Sequence, residues 1–184
     1  MKKNNNIQDL SLYSTPKGFR GKSKIYVQLW WIVYTIFFKL SPQVFYSWRR
    51  FLLRIFGAKI GNNVIIRPSA QFTYPWKISI GDNSWIGDDV VLYSLGNIEI
   101  GKNTVISQRS YICTGSHDYK DNKFPIYSKS IKIENQCWIA TDVFIAPGIT
   151  IKEGVVVGAR STVISDLENF SVYVGSPAKF IKKR

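Results

Sequence analysis

An aliphatic or aromatic residue returns at every sixth position through most of the chain. The series forms five groups of three: Ile60, Ile66 and Phe72; Ile80, Ile86 and Leu92; Ile100, Ile106 and Ile112; Ile133, Ile139 and Ile145; Ile151, Val157 and Val163. Neither the 3.6-residue period of an α-helix nor the two-residue alternation of a strand gives this spacing. It is typical of a β-solenoid, in which each triangular coil has three flat sides of six residues. We therefore expect five stacked coils around one continuous apolar interior.

Small residues occupy two further positions of the repeat. The position after the aliphatic residue is often glycine, as at Gly61, Gly81 and Gly101, which we expect to keep side chains out of the corners. The two cysteines, Cys113 and Cys137, also fall on regular repeat positions. We expect them to be reduced residues that fill space in the solenoid rather than a disulfide.

Three interruptions break the six-residue register. Phe72 and Ile80 are eight positions apart, as are Leu92 and Ile100, so each of those coils takes two extra residues at a corner. Ile112 and Ile133 are twenty-one positions apart, which is one repeat unit plus fifteen residues. A loop of that length on a regular scaffold is usually functional or disordered. We therefore look for the site in loop 113–132.

His117, the only histidine of the chain, lies at the start of this loop beside Gly115, Ser116 and Asp118. A lone histidine is more often structural than catalytic, but here the coil opens into the loop and a neighbour could orient the ring. We therefore expect His117 to be catalytic. A single histidine also argues against the three-histidine zinc sites of other β-helix enzymes, so we expect no metal.

Positive charge is concentrated near the ends of the chain. Residues 1–59 contain eleven Lys and Arg and one acidic residue, which is +10 of the formal net charge of +13. We expect three parts: an N-terminal, mainly helical arm (1–56), a β-helix domain (57–168) and a basic C-terminal tail (169–184). No cleavable signal peptide is evident, so we expect a cytoplasmic location.

The arm contains a nearly continuous apolar run, residues 25–38. As a helix it would be about 21 Å long, which is too short to cross about 30 Å of hydrocarbon. In the following segment Arg49, Arg50 and Arg54 share one side of a helical wheel, opposite an apolar side. Two interpretations of residues 25–56 stay open: contact with the inner face of a membrane, and capping of the open end of the solenoid. Nucleic-acid binding is disfavoured, since it needs aromatics separated by solvated cations.

Several motifs resemble a known family. The six-residue period, the loop sequence TGSHD (114–118), the run 136–148 and the closing GSPAK (175–179) resemble the hexapeptide-repeat O-acetyltransferases of the maltose and galactoside acetyltransferase type. Residues 17–21, 28–31, 41–43 and 48–51 resemble more narrowly the colanic acid biosynthesis acetyltransferases. The resemblance covers nearly the whole chain, and the loop and arm motifs are far more specific than the repeat.

The resemblance implies an all-β fold, a left-handed parallel β-helix, assembled as a homotrimer with active sites in the clefts between subunits. It implies acetyl-CoA as co-substrate and His117 as the base that deprotonates a sugar hydroxyl. Trp138 would pack against the pantetheine arm, Ala140, Thr141, Gly158 and Ala159 would line its channel, and Lys179 and Lys182 would lie near the CoA phosphates. Trp138 could instead be a rim residue of a trimer contact, and the lysines could be a solvated tail.

The functional expectation is an O-acetyltransferase that modifies a sugar hydroxyl of an exopolysaccharide or of its lipid-linked precursor. Two alternatives stay open. One is N-acetylation of an amino-sugar nucleotide on the same scaffold, and the other is a membrane-associated solenoid scaffold without enzymatic activity. No acceptor-binding residue is carried over from the resemblance, because the apolar arm replaces the segment that supplies those contacts in the sugar acetyltransferases.

Overall fold

Short strands form the three sides of a triangular coil in the computed structural model, which describes residues 7–184. The first six residues of the expected N-terminal arm lie outside the described residues. The first sheet contains β1 (Lys59–Ile60), β4 (Ile78–Ile80), β7 (Ile98–Ile100), β12 (Ile131–Ile133) and β15 (Thr150–Ile151). The second contains β2 (Ile65–Ile66), β5 (Trp85–Ile86), β8 (Val105–Ile106), β13 (Trp138–Ile139), β16 (Val156–Val157), β18 (Ser171–Val174) and β19 (Lys179–Lys183). The third contains β3 (Gln71–Phe72), β6 (Val91–Tyr93), β9 (Tyr111–Cys113), β14 (Phe144–Ile145) and β17 (Thr162–Val163).

The six-residue series lines the interior of these coils. In the first sheet Ile60, Ile80, Ile100, Ile133 and Ile151 pair in register from coil to coil, and each is at most 7% exposed. All pairings within the three sheets are parallel except that of β18 with β19. The predicted left-handed parallel β-helix is confirmed. Because the strands are only two to five residues long, the stacked interior rather than strand length stabilises the fold.

The corner glycines leave no room for a side chain, because successive coils are in close contact there. Gly61, Gly81 and Gly101 have no positive φ, but a Cβ on any of them would lie 2.5–2.7 Å from atoms of the next coil. The corner that follows is turned by a residue with positive φ, such as Asn63 or Asn83. These glycines therefore allow close stacking of the coils, while asparagine adopts the left-handed backbone conformation that few other side chains tolerate.

The arm folds over the open end of the first coil. It contains a short 3-10 helix (Leu10–Leu12), α1 (Lys24–Val33), which continues into a π-helical turn (Tyr34–Phe38), and α2 (Tyr46–Ile55). The Ser23 hydroxyl accepts a hydrogen bond from the Tyr26 amide and so caps α1. Trp30 is fully buried, and its indole N–H donates to the carbonyl oxygen of Phe72 at 2.8 Å. The arm is thus joined to the solenoid by both packing and hydrogen bonds.

The three arginines of α2 face the solenoid. Arg49 donates to the carbonyl oxygen of Ile66, Arg50 to that of Val64, and Arg54 to that of Ile60. These carbonyls belong to the first coil, which has no preceding coil to pair with it. Three of the arm's cations therefore cap the exposed end of the β-helix, as one of the two interpretations expected. Within residues 7–184 no helix is both long enough and apolar enough to cross a membrane.

The segment expected as a basic tail, residues 169–184, contains β18 and β19. β18 adds a parallel strand to β16, and β19 turns back antiparallel to β18. The Arg184 guanidinium donates to the carbonyl oxygens of Gln136 and Gly154, at 2.8 and 3.1 Å. The C-terminal lysines are consequently carried on a strand of the second sheet.

Candidate active site

The long loop forms an antiparallel hairpin at the corner between the third and the first sheet. Its strands are β10 (Gly115–His117) and β11 (Ile126–Ser128), and His117 pairs with Ile126. The buried Thr114 holds its base, because the Thr114 hydroxyl donates to the Tyr93 carbonyl oxygen at 2.6 Å. The Lys129 amide donates to the Thr114 carbonyl oxygen at 2.8 Å. Both ends of the hairpin are therefore fixed to the coil.

The two smaller interruptions support this hairpin. The sequence expectation treated them as tolerated corner insertions, but they occur at the same corner as the long loop, one and two coils earlier. The Gly96 amide donates to the Thr114 hydroxyl at 2.8 Å. Gly115 packs so closely on the Leu95 side chain that a Cβ at Gly115 would lie 2.5 Å from Leu95 Cδ1. In the sequence, the signal for this arrangement was that all three insertions follow strands of the third sheet. We call the two inserted corners that support the hairpin its platform.

The His117 ring is held by Phe124 from the turn of the hairpin. The two rings are stacked, with centroids 4.2 Å apart and planes at 8°. Nδ1 lies 2.8 Å from the Phe124 carbonyl oxygen. A carbonyl oxygen can only accept, so Nδ1 carries the proton and Nε2 has the free lone pair. The half-buried imidazole is thus held with Nε2 as its free acceptor atom.

The start of the described chain also reaches this hairpin. The Asp9 amide donates to the Asn122 carbonyl oxygen at 2.7 Å, and the Tyr13 ring centroid is 6.0 Å from that of His117. Sequence reasoning missed both Tyr13 and Phe124 as neighbours of the histidine. No motif marks either residue, since the first contact spans about a hundred residues of chain and the second depends on how the loop pairs with itself.

Three titratable groups at the hairpin base, Tyr93, Tyr111 and Cys113, are uncharged at neutral pH. Desolvation by burial raises the pKa of Tyr93 and Tyr111, and it also raises the pKa of the Cys113 thiol. These groups therefore stay protonated and are poor bases or nucleophiles near neutral pH. His117 is the side chain of this corner whose chemistry is suited to accepting a proton.

The residues expected along the cofactor channel form one strip on two adjacent coils. Trp138 is 48% exposed on the outer side of β13, and its indole N–H donates to the Ser107 hydroxyl at 3.0 Å. Ala140 and Thr141 follow at the next corner, and Gly158 and Ala159 occupy the same corner one coil later. A Cβ at Gly158 would lie 2.6 Å from Val174 Cγ1, so only glycine fits there without movement.

The two expected lysines lie on the same sheet as Trp138. Trp138 pairs with Val156, Val156 with Val172, and Val172 with Lys182, so all four stand in one row across the second sheet. Three strand spacings separate Trp138 from Lys182, which is about 14 Å. Lys179 pairs with Val174 on the same strand pair, and both lysines are exposed. Lys182 at the end of this row and the nearby Lys179 therefore place two positive charges at the β19 edge of the second sheet.

Within one chain, His117 and Trp138 are far apart. The hairpin of His117 projects from the corner between the third and the first sheet, whereas Trp138 lies on the second sheet. In a triangular coil that corner is opposite the side formed by the second sheet. A site that uses both side chains therefore needs a second copy of the chain.

A candidate metal centre is absent from the part of the chain that the structure describes, residues 7–184. No group of three His, Cys, Asp or Glu side chains there is arranged to hold a metal ion. Cys137 is buried, and this burial raises the pKa of its thiol to about 11. This thiol is therefore protonated at neutral pH.

No protein-family model matches the chain, but individual proteins do. It is 58% identical over 178 residues to WcaF of Escherichia coli strain K12, which is named as a colanic acid biosynthesis acetyltransferase; the match covers 97% of this chain and 98% of that protein. Among solved structures, a maltose O-acetyltransferase from Clostridium difficile 630 superposes with a TM-score of 0.80 at 27% identity, covering 88% of this chain and 89% of that one.

A second solved structure has a different type of activity. AntD, an N-acyltransferase from Bacillus cereus in complex with dTDP-4-amino-4,6-dideoxyglucose and coenzyme A, superposes with a TM-score of 0.63 at 26% identity. The superposition covers 73% of this chain and 88% of that one. The same type of fold therefore serves proteins that acylate oxygen and proteins that acylate nitrogen.

Proposed function

The chain belongs to the hexapeptide-repeat acetyltransferase family that includes WcaF, and we propose that it transfers an acetyl group from acetyl-CoA to a sugar hydroxyl of an exopolysaccharide or its lipid-linked precursor. The observation that carries the proposal is the orientation of His117, whose Nδ1 is bound to the Phe124 carbonyl while Nε2 is free. The 58% identity to WcaF supports the substrate class, and the maltose O-acetyltransferase supports a hydroxyl acceptor.

In the proposed reaction, Nε2 of His117 removes the proton from the acceptor hydroxyl as its oxygen attacks the thioester carbonyl carbon. The C–S bond then breaks, and the imidazolium returns the proton to the leaving thiolate of CoA. The Phe124 carbonyl accepts a hydrogen bond from Nδ1 throughout, which keeps the ring in the same orientation during both proton transfers. No covalent enzyme intermediate is needed, which fits the raised pKa of the half-buried Cys113 thiol.

Acetyl-CoA binding is proposed along the strip of Trp138, Ala140, Thr141, Gly158 and Ala159. The exposed Trp138 indole would offer an apolar surface to the extended pantetheine chain, which would then pass over Thr141 and the exposed Ala159 at the corners of the two coils. At the far end of the row, Lys179 and Lys182 would meet the phosphates. Coenzyme A in the AntD structure supports a CoA thioester as the donor for this fold.

We propose a homotrimer with one active site in each cleft between subunits. The support is the opposite placement of His117 and Trp138 on the triangular coil, since one chain cannot bring them together. In a ring of three copies, the hairpin corner of one subunit would face the second sheet of its neighbour. Each cleft would then combine a base from one chain with the cofactor strip of the next.

N-acetylation of an amino-sugar nucleotide is the second candidate, and AntD is the observation that favours it. Both reactions use the same donor and the same base. Assays with matched acceptors that differ only in a hydroxyl or an amino group distinguish them, because the preferred acceptor is the one with the higher kcat/KM.

The proposed role of His117 is tested with His117→Asn. Asparagine keeps an N–H that can donate to the Phe124 carbonyl, but it cannot accept the acceptor proton at neutral pH. We expect kcat to fall by about 10²–10⁴-fold with little change in the KM for acetyl-CoA. Phe124→Leu removes the ring stacking and keeps the carbonyl, so it is the matched control and should lose far less activity. Unchanged turnover by His117→Asn would refute the base, whereas the absence of any acetyl transfer by the parent protein would support a scaffold without activity.

A further inference from the structure

The helical part of the arm has two apolar sides, and only one is covered. Val27, Trp30, Tyr34 and Phe38 recur at helical spacing and are buried on the first coil. A second row recurs at the same spacing on the opposite side of α1 and its π-helical continuation: Ile25, Leu29, Ile32 and Ile36. These side chains are 82%, 49%, 54% and 51% exposed. A helix that is apolar on both sides is expected to be covered on both sides.

The exposed apolar row continues across the turn into α2. Phe37, Leu40, Phe45 and Trp48 line a shallow groove there. The Trp48 indole N–H donates to the Phe37 carbonyl oxygen at 2.9 Å, and the Trp48 ring stacks on Phe51 with centroids 5.8 Å apart. The polar atom of this tryptophan is thus satisfied within the protein. We call the row and the groove together the outer surface of the arm.

The charge of this region identifies the partner. No acidic residue occurs in the seventy-two residues between Asp9 and Asp82, which contain eleven Lys and Arg. Arg67 of this stretch is paired with Asp88 of the second coil, whereas Arg49, Arg50 and Arg54 bind only carbonyl and hydroxyl oxygens among the described residues. A second copy of the chain would bring the same positive charge, so self-association through this surface is opposed by like charges.

We propose that the outer surface of the arm docks on an anionic phospholipid bilayer. Lipid headgroups would meet the cations around the surface, and the exposed Ile and Phe side chains would enter the boundary between headgroups and acyl chains. α1 lies in the plane of the interface, because its ten residues extend only about 15 Å. The docking does not depend on the proposed reaction.

The surface is linked to the histidine hairpin through a small apolar cluster. Val27 of α1 packs with Tyr74 and Leu95, and Ile126 of β11 packs against the same cluster. The platform of the hairpin therefore rests on the helix whose other side faces the bilayer. An acceptor carried on a lipid would be held at high local concentration near this corner.

The test is flotation of the full chain with vesicles of equimolar phosphatidylethanolamine and phosphatidylglycerol, and with vesicles of phosphatidylcholine alone. We expect binding to the anionic vesicles, weakened by salt and weaker on phosphatidylcholine. Ile32→Gln/Ile36→Gln changes no charge and removes two apolar side chains from the outer surface, so its vesicle affinity should fall by about a hundredfold. Gln28→Ala/Thr35→Ala, on an exposed polar strip of the same helix, is the matched control and should change affinity by less than about threefold.

Three results would overturn the proposal. The first is no flotation of the intact protein, and the second is an equal loss in both double variants. The third combines two observations: the parent protein binds no vesicles, and light scattering shows that Ile32→Gln/Ile36→Gln has a different oligomeric mass from the parent. That result would assign the surface to a contact between copies of the chain. Acetyl transfer to a water-soluble sugar should be unchanged in both variants, which separates a failure of docking from a failure of the proposed function.

Discussion

Replacement of Arg49 by methionine should weaken the attachment of the arm to the solenoid far more than the same replacement of Arg50. Arg49 is fully buried and its guanidinium connects three parts of the chain. Nε donates to the Ile66 carbonyl oxygen at 2.7 Å. The terminal nitrogens donate to the Ser41 hydroxyl and the Pro42 carbonyl, each at 2.8 Å, and to the Gln43 carbonyl oxygen. Methionine fills a similar volume and makes none of these hydrogen bonds.

The size of the expected loss of stability follows from two opposing contributions to the free energy of unfolding. Three carbonyl oxygens lose a charged donor, at about 1.5–3 kcal/mol for each hydrogen bond to a charged group. Against this, the variant no longer buries a cation, whose desolvation costs several kcal/mol and lowers the pKa of Arg49. The net loss is about 3 kcal/mol in the free energy of unfolding. For a chain of this size that corresponds to a fall in Tm of about 10 °C.

The assay compares urea unfolding and thermal melting of Arg49→Met with those of Arg50→Met. Arg50 is half-buried and donates to the Val64 carbonyl and the Ser47 hydroxyl, positions where water can replace the guanidinium. Its replacement should cost at most about 1 kcal/mol. If Arg49→Met and Arg50→Met have the same Tm, or if Arg49→Met is as stable as the parent, the hydrogen bonds of Arg49 do not hold the arm as described.

Three further predictions concern the hairpin, the cofactor strip and the interior. Gly115→Val places atoms against Leu95 and should shift the hairpin, lowering kcat/KM about a hundredfold while the circular dichroism spectrum is retained; parent-like activity would contradict it. Trp138→Ala should raise the KM for acetyl-CoA about tenfold with little change in Tm, whereas a large loss of stability would indicate a structural role. The thiol of Cys137 has its pKa raised from 9.0 to about 11 by burial, so the unfolded chain releases this proton first as pH rises. The free energy of unfolding should fall by up to about 2.7 kcal/mol between those pH values, and Cys137→Ala should remove that part of the pH dependence.

The solenoid could be predicted almost residue by residue, because its interior is a local property of the sequence. The buried aliphatic residue recurs every six positions within a coil. The burial of residues such as Ile80, Ile100 and Ile133 could therefore be predicted without knowledge of distant contacts. The proposed cofactor strip came from the family resemblance instead, and the register accounts only for the placement of Gly158 one coil after Ala140. Loop 113–132 was marked by the break in the register.

The environment of the histidine could not be predicted from the period. Phe124 lies within the fifteen extra residues, where no repeat applies, and its carbonyl reaches His117 only because β10 and β11 pair as a hairpin. Tyr13, whose ring lies near that of His117, comes about a hundred residues earlier in the chain. The helical wheel showed that the α2 arginines share a side, but whether that side faces water or the solenoid depends on the unpaired carbonyls of the first coil.

Each active site is proposed to combine His117 of one chain with the Trp138 strip of another. A direct test mixes His117→Asn with Trp138→Ala/Lys182→Ala under conditions in which subunits exchange, at an acetyl-CoA concentration low enough that the raised KM leaves the double variant nearly inactive. Within a mixed assembly, one cleft receives an intact histidine and an intact strip, so acetyl transfer should rise well above the sum of the separate preparations. Activity that stays at that sum, although light scattering or native mass spectrometry shows mixed assemblies, would contradict the account.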